Sequence, residues 1–272
     1  MTKRFDSVLL VGCGNMAGAM LEGWLAAGLQ PARFTVVEPS DKHLPAGIQR
    51  LASIPETGQF DAILLGVKPQ LLGEIAAPVA RLAEGATILS LLAGVELATL
   101  ATRFPGAAAH VRVMPNLAVA LGKAPIALAE RGLDDTGRAS IFALMKPLGT
   151  PEWVGEAEFD LVTALTGSGP AFVYRFIDAL AAAAADLGLP RDQADRMALA
   201  MVEGAAALAA ASPDSPGTLA DKVASKGGMT REGLDVLDAD SALVSLATAT
   251  LRAARDRGAE LAAQARKSPV EG

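Results

Sequence analysis

The chain has 272 residues, 51% of them hydrophobic and 20% charged, so it is neither disordered nor of low complexity and is long enough to bury a sizeable core. A net charge of −6 without a basic block argues against nucleic acid or an anionic membrane as the main partner and leaves small molecules as the default ligands. Cys13 is the only cysteine and His43 and His110 the only histidines, which argues against a disulfide framework or a metal cage and for a reducing compartment.

The apolar run at residues 8–11 follows Lys3 and Arg4 but is too short for a signal peptide and runs straight into Gly12-Cys13-Gly14. The alanine-dominated stretches at 179–185 and 205–211 are bounded by Asp178, Asp186 and Glu203 and fall short of the roughly 20 apolar residues of a membrane span. The expectation is a soluble, cytoplasmic protein with no membrane contact.

Short β-branched or leucine-rich runs at residues 7–11, 33–37, 61–67, 86–91 and 109–113 alternate with helix-like segments. Such alternation predicts repeated βαβ units and a mainly parallel sheet, an α/β domain of the Rossmann-like kind. The breaker-rich stretch Lys146-Pro147-Leu148-Gly149-Thr150-Pro151 ends the last helix of this half, and from about Glu156 only alanine-rich segments of helical spacing remain. The division is therefore 1–155, dinucleotide-binding, and 156–272, all-helical. Mostly alanine and leucine helices offer little bulky core, and burial against a second copy would remove more apolar area from water, so a dimer is expected through the helical half.

The first strand ends in Gly12-Cys13-Gly14-Asn15-Met16-Ala17, a G-x-G-x-x-A turn opening a helix expected at 16–27. Gly12 permits the tight turn, Gly14 lets a diphosphate approach the backbone, and Ala17 lets the helix pack on the sheet with its N–H groups facing the phosphates. Its position between the first strand and a helix favours a dinucleotide site over a purely structural turn. Cys13 is read as a small turn filler, not a nucleophile. The second strand ends at Glu38, where an acid accepts the ribose hydroxyls of NAD, whereas Ser40, Lys42 and His43 form a polar loop that could hold the 2′-phosphate of NADP. Both coenzymes stay open.

Gly66-Val67-Lys68-Pro69-Gln70 and Arg112-Val113-Met114-Pro115-Asn116 follow two further strands, at the edge that faces the ligand crevice of such folds. Thr166-Gly167-Ser168-Gly169-Pro170 lacks the outer glycines of a serine nucleophile elbow and is read as a helix interruption before a helix starting at Pro170. Gly227-Gly228 directly before a helix expected at 230–237 makes either a carboxylate nest or a hinge with Thr230 as N-cap.

Together these segments resemble pyrroline-5-carboxylate reductase over nearly the whole chain, most specifically in Thr163-Ala164-Leu165-Thr166-Gly167-Ser168-Gly169-Pro170-Ala171-Phe172 and Ser225-Lys226-Gly227-Gly228-Met229-Thr230. Two positions depart from the family pattern: Leu117-Ala118 replace the usual Thr-Pro after Met-Pro-Asn, and Lys226 replaces the proline before the two glycines. The resemblance implies an NADH- or NADPH-dependent reductase making L-proline, with a helical domain that interlocks with a second copy and dimers that assemble into rings. It assigns the cofactor phosphates to Gly12, Gly14, Asn15, Met16 and Ala17, the ribose side to Val67, Lys68 and Pro69, and the substrate carboxylate to Ser225, Gly227, Gly228, Met229 and Thr230. Thr230 matches the hydroxyl that faces the imine. Reducing an iminium demands positioning more than a strong acid, so the lack of a well-placed histidine is no obstacle. A reductase of another small cyclic imine or keto acid, and a non-catalytic NAD(P)H sensor, are the competing readings.

Overall fold

The computed structural model describes residues 5–267, with side chains to residue 263; Lys3, Arg4 and the end of the helical half beyond 267 lie outside the described residues. Contacts divide the chain into two compact units, one built on residues up to Ser168 and again from Ala253 onward, the other on Gly169–Arg252.

In chain order the first unit contains β1 (Val8–Val11), α1 (Asn15–Ala26), β2 (Phe34–Val37), β3 (Gln49–Leu51), β4 (Ala62–Leu65), α2 (Leu72–Ala80), β5 (Thr87–Ser90) and α3 (Leu97–Arg103). It continues with β6 (Ala109–Met114), β7 (Ala124–Arg131), α4 (Asp135–Met145), β8 (Gly149–Trp153) and α5 (Phe159–Val162). The strands form one sheet of order β3-β2-β1-β4-β5-β6-β7-β8, parallel throughout except between β6 and β7.

The five apolar runs of the sequence are strands because both sheet faces are covered. Val8 and Leu10 point into one core with Met20, Leu21 and Trp24 of α1, while Leu9 and Val11 point into the other with Leu72 and Val79 of α2. Burial on two faces yields a continuous hydrophobic run in place of alternation. Three strands carry no such signal. β3 exposes Gln49 and Arg50 and owes its existence to main-chain pairing with β2. β7, rich in alanine, buries its residues on both faces, and β8 takes Gly149 and Pro151 as the edge strand, where a missing N–H breaks no ladder. The breaker-rich stretch therefore ends α4, as expected, and then adds an unexpected strand.

After α5 the chain forms one π-helical turn, Thr163–Gly167, closed by Ser168 N donating to Thr163 O at 3.1 Å. The interruption expected around Gly167 and Gly169 is thus a widened helical turn, a feature common at functional sites. The second unit follows with α6 (Gly169–Asp186), α7 (Arg191–Ala211), α8 (Pro216–Val223), α9 (Met229–Asp238) and the start of α10 (Ala242–Lys267). Among the described residues after 156 there is no strand. Gly188, at φ +109°, turns α6 into α7, and Arg191 bridges Asp178 of α6 to Asp195 of α7 at 2.9 and 2.8 Å. The later part of α10 packs on the first unit, where a Cβ on Gly94 would meet Leu261 and Ala262.

Candidate active site

β1 lies between β2 and β4, where the strand order reverses, and its last residue, Val11, is level with Val37 and Leu65. Gly12, Glu38 and Gly66 therefore leave the sheet side by side, held by Gly12 N to Val37 O (3.0 Å) and Gly66 N to Val11 O (2.9 Å). Such a reversal opens the crevice that binds ligands in this class of sheet. Gly12 has φ +87°, and a Cβ there would come within 2.7 Å of Val67 Cγ1, so the turn requires glycine. A Cβ on Gly66 would meet that of Ala17 at 2.8 Å, which explains the small residues on both sides of the helix–sheet contact.

Gly14 is the N-cap of α1 and offers no side-chain cap, so the first-turn N–H groups stay available to an anion beside the exposed Gly14 and Asn15. Met16 is half-buried and the helix begins at Asn15, one residue earlier than expected. Val67 lies against Gly12, and Lys68, exposed, caps the 3₁₀ turn Pro69–Leu71. All nine residues expected to touch the coenzyme gather at the carboxyl edge of β1, β2 and β4. A glycine turn that a Cβ would fill, open to an uncapped helix, suits a dinucleotide diphosphate.

At the end of β2, Glu38 Oε1 accepts from Ser40 N (3.1 Å) and Ser40 Oγ (2.7 Å). The Ser40 hydroxyl is the main reason the Glu38 carboxyl lies below its usual range, with main-chain N–H bonds from Ser40 and Cys13 adding to it. Lys42 Nζ reaches back to Cys13 O at 2.7 Å, and Arg50 on β3 donates to Glu38 O (3.1 Å) and Lys42 O (3.4 Å). Arg50 carried no sequence signal; it reaches the loop only because β3 pairs with β2. His43 is exposed. Cys13 is buried, and burial pushes its thiol up, away from the nucleophilic form.

On the other side of the crevice edge, Arg112 is only 4% exposed and pairs with Glu156 (3.2 Å) and Asp160 (3.5 Å) while lying 3.9 Å over the Phe159 ring. Glu156 also accepts from Leu97 N at the start of α3. Arg112 and Thr163 line a cavity of about 260 Å³ with Gly94, Met114, Asp160 and Ser168. Asn116 accepts from Ala118 N and donates to Thr166 O, both at 2.9 Å, and so pins the turn after β6 to the π-helical turn. Where proline is usual, Ala118 supplies an N–H that proline lacks, and the departure strengthens this cap. His110 Nε2 lies 3.0 Å from Phe104 O, and burial lowers its pKa, which gives it a structural place.

In the second unit, Gly228 is the N-cap of α9, and no side chain caps the helix. Thr230 sits one position inside the helix and is exposed, so it is not the N-cap. Gly227 has φ +70°, a Cβ on it would meet nothing within 4 Å, and Gly228 N donates to Ser225 O at 2.9 Å. Met229 is 94% exposed. The neighbouring Arg231 is engaged by Asp221, Asp235 and Asp238, which leaves the loop's main-chain N–H groups and Lys226 as its positive features.

Residues 156–261 match the family model for pyrroline-5-carboxylate reductase dimerisation, and the chain is 32% identical over 239 residues to the pyrroline-5-carboxylate reductase of Escherichia coli, covering 84% of this chain and 88% of that protein. The chain belongs to the pyrroline-5-carboxylate reductase family. Residues 7–94 also match a family model described as coenzyme F420-dependent NADP oxidoreductase, a further mark of a dinucleotide-binding half. A Coxiella burnetii pyrroline-5-carboxylate reductase superposes with a TM-score of 0.85 at 26% identity, covering 95% of this chain and 99% of that one. The Plasmodium falciparum pyrroline carboxylate reductase with NADP bound shares the fold at a TM-score of 0.83 and 23% identity, covering 96% of this chain and 100% of that chain. As members of the family do, the reductase combines a Rossmann-like α/β half with a helical dimerisation region. Among the described residues no helix is long and apolar enough to cross a membrane.

Proposed function

We propose that the protein reduces 1-pyrroline-5-carboxylate to L-proline, using NADH or NADPH, as a cytoplasmic homodimer. The observation that carries this reading is the bare Ser225–Thr230 loop at the uncapped start of α9, in a chain of this family. Main-chain N–H groups at Gly227 and Met229, aided by the positive end of the helix and the Ser225 hydroxyl, hold the substrate carboxylate, while Gly228, whose N–H closes the turn onto Ser225 O, leaves the backbone bare beside it. Thr230 Oγ1 hydrogen-bonds the ring nitrogen, keeping the C=N bond oriented while the nitrogen becomes an amine.

Gly12, Gly14, Asn15, Met16 and Ala17 hold the coenzyme diphosphate, with Glu38, Val67, Lys68 and Pro69 on its ribose sides. The bound dinucleotide supplies the hydride; the imine carbon gains that hydride and the nitrogen gains a proton from solvent. Positioning, not strong acid catalysis, is the protein's contribution. The dimerisation match, which begins at residue 156, supports a functional division near residue 155.

A second copy completes the helical half. Tyr174, Leu187, Met197, Leu199 and Leu208 are exposed on α6, α7 and the turn between them, an apolar surface suited to a partner copy. Each active site then draws on two chains, and a ring of dimers would extend the same arrangement.

Oxidation of NADH and NADPH with pyrroline-5-carboxylate, compared with other cyclic imines and keto acids, tests the activity. Turnover is expected with pyrroline-5-carboxylate above all, and no turnover with any of them sinks the reading. Sedimentation at assay concentration tests assembly: activity should track the dimer, and a fully active monomer refutes it.

A further inference from the structure

We propose that Glu38, fixed in place by Ser40, is a coenzyme gate that makes this reductase prefer NADH to NADPH, with Ser40 as its positioning residue. The proposal rests on the reductase reading and assigns the specificity that it leaves open.

Three observations carry it. Both Ser40 bonds fall on the same oxygen of Glu38, so the carboxylate is fixed while Oε2 receives neither Ser40 donor. The Ser40 hydroxyl, the group that would otherwise donate to a phosphate, is spent on Glu38. The two cations that could offset a 2′-phosphate also have other work: Lys42 Nζ sits on the carbonyls of Cys13 (2.7 Å) and Gly14 (3.5 Å), and Arg50 on those of Glu38 and Lys42. The loop therefore turns most of these donors on itself and presents its acid.

The consequence follows from charge. A ribose diol donates two hydroxyls and is satisfied by a fixed carboxylate. A 2′-phosphate adds about −1.5 to −2 charge and only acceptor oxygens beside that carboxylate. Lys42 Nζ and Arg50 Nε and Nη1 already point at main-chain carbonyls, which lose their partners if those donors turn to the phosphate, and only the remaining guanidinium N–H groups of Arg50 can approach it without that loss. The low pKa of Glu38 means that the gate stays anionic at neutral pH.

Binding, read without turnover, tests the gate. NADH and NADPH are titrated separately into the folded protein by nicotinamide fluorescence, for the natural chain and for Glu38→Gln, Glu38→Ser and Ser40→Ala, with thermal melts confirming that each is folded. NADH should bind about tenfold more tightly or better, a difference of about 1.4 kcal/mol. Glu38→Gln and Glu38→Ser should tighten NADPH and erase the preference, and Ser40→Ala should shrink it several-fold with an unchanged melting temperature. Equal dissociation constants, tighter NADPH, or a ratio unmoved in Glu38→Ser would overturn the gate while leaving the reductase standing. Failure of both coenzymes to bind would overturn the gate and the reductase reading together.

Discussion

The two units solve the problem of burying apolar surface in opposite ways. In the first, Trp24, Phe34, Phe104 and Phe159 are fully buried between a sheet and helices on both of its faces. In the second, α6 buries only Ala181, α7 only Ala194, and α8 and α9 nothing at all, while Leu187 stays 90% exposed. A helix of some twenty residues that buries one alanine gains almost none of the tertiary stabilisation that helices normally depend on. One unit is a finished core; the other leaves its apolar surface open, as suits the dimerisation region that its sequence matches.

Substitutions that separate the two regimes give the sharpest tests. Trp24 stacks on Phe34 with ring centroids 5.3 Å apart and donates to Leu144 O at 2.8 Å, so Trp24→Ala should cost about 3–5 kcal/mol in denaturant unfolding at any protein concentration. Leu187→Ala, by contrast, should move the unfolding of a monomer by less than about 0.5 kcal/mol. Equal losses at both sites would mean that the helical unit has a core of its own.

Arg112→Met leaves Glu156 and Asp160 without their shared cation and should cost about 3 kcal/mol, read again by denaturant midpoint. A neutral result would show that the cluster is solvated and that the turn after β6 stands without it.

Thr230→Ala should lower kcat/KM with pyrroline-5-carboxylate by roughly tenfold to a hundredfold, the worth of about 1.5–3 kcal/mol for a hydrogen bond to a charged group. Its melting temperature should not move, because Gly228, not Thr230, is the N-cap. Normal kinetics in a destabilised variant would remove Thr230 from the site. Tyr174→Asp, on the apolar surface of α6, should weaken the dimer by about 2 kcal/mol, or roughly thirtyfold, measured by sedimentation across a dilution series. A dimer untouched by that change would place the interface elsewhere.

The smallest effect belongs to His110. Burial lowers its pKa in the folded state, so the unfolded chain takes up the proton first as pH falls below the ordinary histidine value near 6.5. Stability from this group is fully present above that value and is lost as pH falls through the folded pKa. The pH dependence of unfolding over that window should flatten in His110→Gln, which keeps a donor for Phe104 O.

Much of this was legible in the chain itself. The runs around Leu9, Val36, Leu64, Leu89 and Val111 announce doubly covered parallel strands, and Gly12, Gly14 and Ala17 announce the turn that follows β1. What escaped had no local mark. Pro147, Gly149 and Pro151 read as breakers, yet Gly149 and Pro151 belong to an edge strand that tolerates them. Arg50 reads as an ordinary charge on a short polar segment, and the choice between a carboxylate nest and a Thr230 cap stays open in the sequence until the helix is seen to start at Met229.

The sequence by itself determined the α/β half, the helical half and the glycine turn, because each rests on periodicity or on a backbone conformation that few residues permit. Only the tertiary structure decided which donors face which acceptors. Ser40 is committed to Glu38, Lys42 to the glycine turn, Arg50 to the loop above it and Arg112 to two acids far along the chain. These partners meet through strand order and register, and a side chain carries no record of the neighbour that the fold will bring to it.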